Sequence, residues 1–222
     1  MGTGICVSDS VLGNFFVTCK HVVADDSGKF YAMARFFVSD TLQNGTVYST
    51  PRYIEIDLHP ERGGNVAEFP AFIDLVGIFV FDKYTRFSEA NLHYTSYKSQ
   101  ALLTRNRIQQ LARPGTEVEV IGFELNLPGS KNYYFSRFGH VSLYPGDFIP
   151  LPVEGESKIA DFMFLDLSAR AGDSGGPVFV HSLQGTHLVG IMSFVNESHE
   201  FSIVYPIWYI RLMTDLATRM RK

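Results

Sequence analysis

A serine hydroxyl is a weak nucleophile at neutral pH, so acyl transfer to it needs a base beside it and donors aimed at the developing oxyanion. The run Gly172-Asp173-Ser174-Gly175-Gly176-Pro177 has the residue types for the second requirement. Glycines at 172, 175 and 176 let the chain turn tightly about Ser174 and let a substrate carbonyl approach the main chain. In such a turn the amides of Gly172 and Ser174 can both point at one oxygen. The specified residues around Ser174, followed by Pro177 and the apolar run Val178 to Val180, set this segment apart from an ordinary glycine-flanked serine.

Seven histidines compete for the part of base. His21 closes the apolar run Phe15 to Cys19, at a strand end where a rigid sheet presents an imidazole. His59 and His93 lie in polar loops, His140 lies within a strand, and His181, His187 and His199 lie beyond the serine. A carboxylate must then hold the imidazole in one tautomer and stabilise the imidazolium. Asp74, directly before Leu75-Val76-Gly77-Ile78-Phe79-Val80-Phe81, reads either as a strand cap or as a buried orienter of histidine. Asp57 and Asp82 are weaker candidates, because each caps a strand without a comparable apolar setting.

The elements that must position these residues are mostly strands. The runs 5–8, 14–19, 31–39, 53–58, 75–81, 117–123, 133–143, 162–167, 177–181, 188–195 and 201–206 are alternating or fully apolar, with turn residues between them. So many strands without intervening helices imply an all-β protein with two sheets, either a sandwich or paired barrels. Leu102, Leu103, Ile108 and Leu111 follow no strand period, and residues 98–114 read as a linker between an N-terminal half, 1–97, and a C-terminal half, 115–206. After Pro206, the positions Ile207, Ile210, Met213, Leu216 and Met220 recur at helical spacing, which predicts a closing amphipathic helix over 207–222. The segment His59 to Pro70, with Gly63 and Gly64, reads as a surface loop.

Composition narrows the function classes. A chain of 222 residues with net charge −4 has no field that would hold polyphosphate, so nucleic acid is not an expected partner. Arg219, Arg221 and Lys222 cluster at a helix end, where cations oppose the negative end of the dipole. No stretch of about 20 apolar residues is present, so no membrane partner is expected. Cys6 and Cys19 flank a short hairpin and are not opposite one another by register counting; they read as free, buried thiols. With no signal-type run at the start, a cytoplasmic protein is expected if Met1 is the native start. Neither a metal nor a cofactor is expected.

Taken together, Phe16-Val17-Thr18-Cys19-Lys20-His21-Val22-Val23, Ile73-Asp74-Leu75-Val76-Gly77-Ile78 and Gly172 to Pro177 resemble the three motifs of the chymotrypsin clan of trypsin-like serine peptidases. They stand in that clan's order, His then Asp then Ser, separated by 53 and then 100 residues. Gly2-Thr3-Gly4-Ile5 resembles the opening strand of bacterial-type members. Gly115 to Gly122 is similar to the first long strand of their second barrel, and Leu188 to Ser193 to their substrate strand. The resemblance implies two six-stranded antiparallel β-barrels with a C-terminal helix. It implies an endopeptidase in which His21 is the general base, Asp74 orients it, Ser174 is the nucleophile and the amides of Gly172 and Ser174 form the oxyanion hole.

The same resemblance puts Ser168, Ala169 and Arg170 on one wall of the primary pocket and Ser193, Phe194 and Val195 on the other. Ser168 stands where an acid would select Lys or Arg, and Val195 where many relatives have glycine. The expected preference is therefore for small or medium uncharged residues before the scissile bond. Secreted relatives are armed when a new amino terminus pairs with the acid before the serine. Here Asp173 has no such partner in view, and an unpaired buried carboxylate is costly, so a cation or several amides should meet it, with Arg170 one choice. The start of the chain and the acid point to the high-temperature-requirement type, in which loop ordering, an activating partner or homo-oligomer assembly sets activity. Two other readings stand beside the endopeptidase: a silent protease-fold scaffold, and an esterase, which the lack of alternating strands and helices disfavours.

Overall fold

The computed structural model describes residues 2–38, 52–58, 65–69, 73–80, 85–87, 96–123, 134–144, 146, 148–153, 156–196 and 201–220. The strands of the first half are β1 Ile5–Asp9, β2 Gly13–Cys19, β3 Met33–Val38, β4 Arg52–Asp57, β5 Val66–Glu68, β6 Leu75–Phe79, β7 Thr85–Phe87 and β8 Tyr97–Lys98. They form a five-stranded sheet in the order β5-β6-β2-β1-β8 and a three-stranded sheet β3-β4-β7. The second half contains β9 Glu117–Phe123, β10 Tyr134–Leu143, β13 Met163–Asp166, β14 Pro177–Ser182, β15 Gly185–Asn196 and β16 Phe201–Pro206, which close into one six-stranded barrel. A two-stranded ribbon, β11 Phe148–Val153 with β12 Glu156–Asp161, is inserted between β10 and β13.

The fold is chymotrypsin-like: mostly β, with a closed second barrel and a terminal helix, α3 Trp208–Met220. In the first half, the described strands leave two separate sheets instead of one closed ladder. Three short helices or turns were not legible from periodicity. The single turn α1 Lys20–Val23 carries His21, a 3-10 turn spans Ser99–Ala101, and α2 Arg105–Leu111 lies in the segment read as linker. Thr104 caps α2 by accepting from the Arg107 amide. Within the segment expected to be a surface loop, Val66–Glu68 is a strand paired with β6; residues 59–64 and 70 lie outside the described residues.

β2 is the backbone of the first half, because β1 and β6 pair with its two edges. Its alternate side chains divide between two cores. Phe15, Val17 and Cys19 join the large core shared with the second barrel, and Phe16 joins Cys6, Val76 and Ile78 in a smaller one. That explains why 15–19 is apolar but for Thr18 instead of alternating. A strand held by ladders on both edges and packing on both faces is a rigid mount for whatever follows it. Both cysteines are free and buried, with Cys6 opposite Phe16 and Cys19 opposite Leu75.

The helices are anchored through one buried carboxylate. Asp161 Oδ2 accepts from Tyr144 Oη at 3.0 Å, Trp208 Nε1 at 3.0 Å and Arg105 Nε at 3.1 Å, and the Asp161 amide donates to Tyr209 Oη at 2.8 Å. α2, α3 and the end of β12 thus meet at a single residue. α3 also reaches across to the first half, where Met213 packs against Gly77, a position with no Cβ.

Candidate active site

Sheet register brings His21 to Asp74. Cys19 pairs with Leu75, so the next antiparallel position sets Lys20 opposite Asp74, and the Lys20 amide donates to the Asp74 carbonyl at 3.2 Å. The one-turn α1 then folds the His21 ring back over the acid. The His21 amide donates to Asp74 Oδ1 at 3.1 Å, and Nδ1 lies 2.5 Å from Oδ2. Half of the imidazole remains exposed, whereas Asp74 is mostly covered. The Asp74 amide donates to Tyr205 Oη at 3.0 Å, whose phenol burial pushes above its usual range.

β15 supplies a further contact to the acid. Its pairing with β16 slips between Met192 and Phe194, and the bulge aims Ser193 inward. Ser193 Oγ donates to Asp74 Oδ2 at 3.2 Å. The side chain expected on a pocket wall is therefore bonded to the carboxylate, a detail that depends on an irregularity in a distant pairing. Phe194 and Val195 follow on β15 opposite Ile203 and Ser202. On the other expected wall Ser168 and Arg170 are exposed and Ala169 is half-buried.

Ser174 lies in the turn between β13 and β14. The Asp173 amide donates to the Arg170 carbonyl at 3.0 Å, and Gly172 at the third position of that turn has φ +105°. That combination is the type II form, which only glycine adopts cheaply there. The Gly175 amide donates to Met192 O at 2.7 Å and the Gly176 amide to Asp173 O at 2.8 Å, while Met192 donates back to Gly176 O at 2.8 Å. The amides of Gly172 and Ser174 have no acceptor among the described residues. Ser174 Oγ makes no hydrogen bond to His21.

Asp173 finds its partner in a residue that sequence reasoning did not single out. Its side chain is 1% exposed, and Oδ2 accepts from Arg137 Nε at 2.9 Å and from the Arg170 amide at 2.8 Å. Arg170 thus contributes its main chain, and the cation comes from β10. Gly122 on β9 makes room for the carboxylate, since a Cβ there would collide with it. No local signal marks Arg137, which meets Asp173 only when the barrel closes.

Cys19 Sγ, a ring nitrogen of His21 and an Asp74 oxygen lie within 4.8 Å of one another, the one group of possible metal ligands among the described residues. Their atoms are engaged with the protein instead: Nδ1 faces Oδ2, and the fully buried thiol donates to Met192 O at 3.2 Å. Burial, with the Asp74 charge nearby, raises that thiol well above its usual range, which opposes the thiolate a metal requires.

A closed antiparallel barrel carrying a glycine-rich serine turn, together with an Asp-bonded histidine at a strand end, agrees with a serine protease of the trypsin-like class. The chain belongs to the trypsin-like peptidase domain family, whose model matches residues 2–191. No curated protein matches it. Among solved structures, the active form of the Rv3671c protease from M. tuberculosis is similar at TM-score 0.53 and 18% identity, over 96% of this chain and 72% of that one. The inactive form of the Rv3671c protease is similar at TM-score 0.51 and 17% identity, over 98% and 82%. Likeness to both forms is a likeness of fold.

Proposed function

We propose that the chain is a working serine endopeptidase in which Ser174 attacks the scissile carbonyl, His21 takes its proton and returns it to the leaving amine, and Asp74 holds the ring. The amides of Gly172 and Ser174 stabilise the tetrahedral oxyanion. The observation that carries this reading is the pattern of amides from Gly172 to Gly176: those of Asp173, Gly175 and Gly176 donate to backbone carbonyls, and the two without a protein acceptor, of Gly172 and Ser174, are the two an oxyanion needs. The Asp74–His21 bond supports the assignment of base and orienter.

Arg137 bears on regulation. Because Asp173 is neutralised within the chain, we infer that the turn takes its anion-binding form without an inserted amino terminus. Assembly or a partner protein would then act on the exposed loops and not on this acid. The substrate is a polypeptide, and a small or medium uncharged residue before the scissile bond fits Ser168, which brings no charge to the pocket wall.

Labelling by a serine-directed fluorophosphonate tests the reading, because it requires both an activated hydroxyl and an oxyanion site. Wild-type protein should label and Ser174→Ala should not. A folded wild type that stays unlabelled would favour the scaffold reading, and label surviving Ser174→Ala would move the nucleophile elsewhere. A peptide library should then give fast cleavage after Ala, Val or Leu, and rapid cleavage after Arg would reject the pocket assignment.

A further inference from the structure

Every polar group of Thr3 is hydrogen-bonded, and both of its donors go to the turn around Ser174. It is buried, with 6% of its surface exposed. Its amide donates to Ser174 O at 2.7 Å, and its hydroxyl donates to Gly172 O at 2.7 Å. The same hydroxyl accepts from the Phe123 amide at 3.2 Å, and the Thr3 carbonyl accepts from Thr18 Oγ1 at 2.6 Å. Thr18 is on β2, three residues before His21, and Phe123 ends β9. One residue therefore ties the strand that mounts the base, the second barrel and the nucleophile turn together.

The neighbouring glycines exist to let that residue approach. A Cβ at Gly2 would lie 2.7 Å from Ser174 O and 2.6 Å from a Val22 methyl. One at Gly175, where φ is +84°, would collide with Thr3 O and Thr18 Oγ1. With those side chains absent, Thr3 reaches the carbonyls on both sides of the Asp173-Ser174 segment. The amide of Ser174 sits between the two pinned carbonyls, and turning it away from an oxyanion means rotating a peptide whose neighbours are held at 172 and 174.

We propose that Thr3 is a positioning residue for the oxyanion site, its amide and hydroxyl clamping Gly172 O and Ser174 O so that the spare Ser174 amide faces the reacting carbonyl. This rests on the protease reading of Ser174. The hydroxyl does no chemistry itself; it sets a direction, and its effect belongs to the transition state and not to substrate affinity.

The test compares Thr3→Val, which keeps the shape and removes the hydroxyl, with Thr3→Ser, which keeps the hydroxyl. Steady-state kinetics on a peptide substrate are read beside affinity for a peptide boronic acid, whose charged tetrahedral adduct needs the oxyanion site. Thr3→Val should lower kcat about 10- to 100-fold and weaken the boronic acid by a similar factor, with KM within about two-fold of wild type. Thr3→Ser should return kcat to within about three-fold of wild type. If Thr3→Val does not fold, Thr3→Cys replaces it, keeping volume with a weaker donor. Wild-type kcat in the hydroxyl-free variant, or equal losses in the Val and Ser variants, overturns the proposal. A wild type that fluorophosphonate does not label instead removes the protease reading on which it rests.

Discussion

Removing the Arg137 guanidinium gives the sharpest test of how the nucleophile turn is supported. Asp173 is 1% exposed and Arg137 15%, their Nε–Oδ2 distance is 2.9 Å, and Asp173 Oδ1 is buried without a partner among the described residues. In Arg137→Met the carboxylate keeps a single donor, the Arg170 amide. Breaking a buried pair by deleting one partner typically costs about 3–5 kcal/mol, because the other charge is left uncompensated. Taking about 3 kcal/mol to allow for the partly exposed arginine, the melting temperature of a chain this size should fall by about 6–12 °C. Thermal and urea unfolding measure the loss. Arg137→Met/Asp173→Asn should then recover most of it, since the penalty belongs to the stranded charge, and the double-mutant cycle should show a coupling of about 2–3 kcal/mol. A single-mutant loss below about 0.5 kcal/mol, the behaviour of an exposed ion pair, would refute the reasoning. Equal instability of single and double mutants would do the same.

Other outcomes follow from the geometry around the site and the core. Asp74→Asn should stay folded while kcat falls about 10⁴-fold, because an amide cannot hold His21 in the tautomer that accepts the serine proton; a loss under about ten-fold would assign orientation to another group. Cys19 is fully buried with its thiol raised well above its usual range, and burial pushes Cys6 up to about 12, so neither should react with a thiol reagent until urea unfolds the chain. Burial raises the Asp161 carboxyl above its usual range despite the Arg105 guanidinium beside it, so the native state holds that proton more tightly than the unfolded chain does. This contribution is full below the ordinary carboxylate range and is lost as pH rises through the higher native value. Relative to Asp161→Asn, wild-type stability in urea should therefore fall with rising pH over the acid range. A rise would mean that the pair with Arg105 outweighs burial.

The large core joins the two halves of a fold with few helices. β2 and β6 contribute side chains to the large core that also contains Val118, Val178, Ile191 and Val204 of the second barrel. The strands that mount His21 and Asp74 thus share one core with the strands of the second barrel. Small relative movements are opposed by close packing, and a misplacement of about 1 Å in such a site typically costs about a hundred-fold in rate.

Much of this was legible in the residues themselves. Alternating and fully apolar runs located eleven strands, two of them, Glu117–Phe123 and Phe201–Pro206, with the boundaries observed. Glycine chemistry marked the Ser174 turn, and helical spacing marked α3 to within one residue at its start. Those signals are local: strand period, backbone freedom and helix period are properties of a few consecutive residues. The short strands β5, β7 and β8 carry too few residues for a period to appear, and α2 was hidden because its single buried residue, Ile108, makes no stripe. Around Ser174, only the tertiary structure decided that Arg137 and the Arg170 amide meet Asp173, that a bulge turns Ser193 onto Asp74, and that Thr3 closes over the nucleophile turn. Each joins residues far apart in the chain through registers and barrel closure, and pairing over such distances leaves no mark in the types or spacing of neighbouring residues.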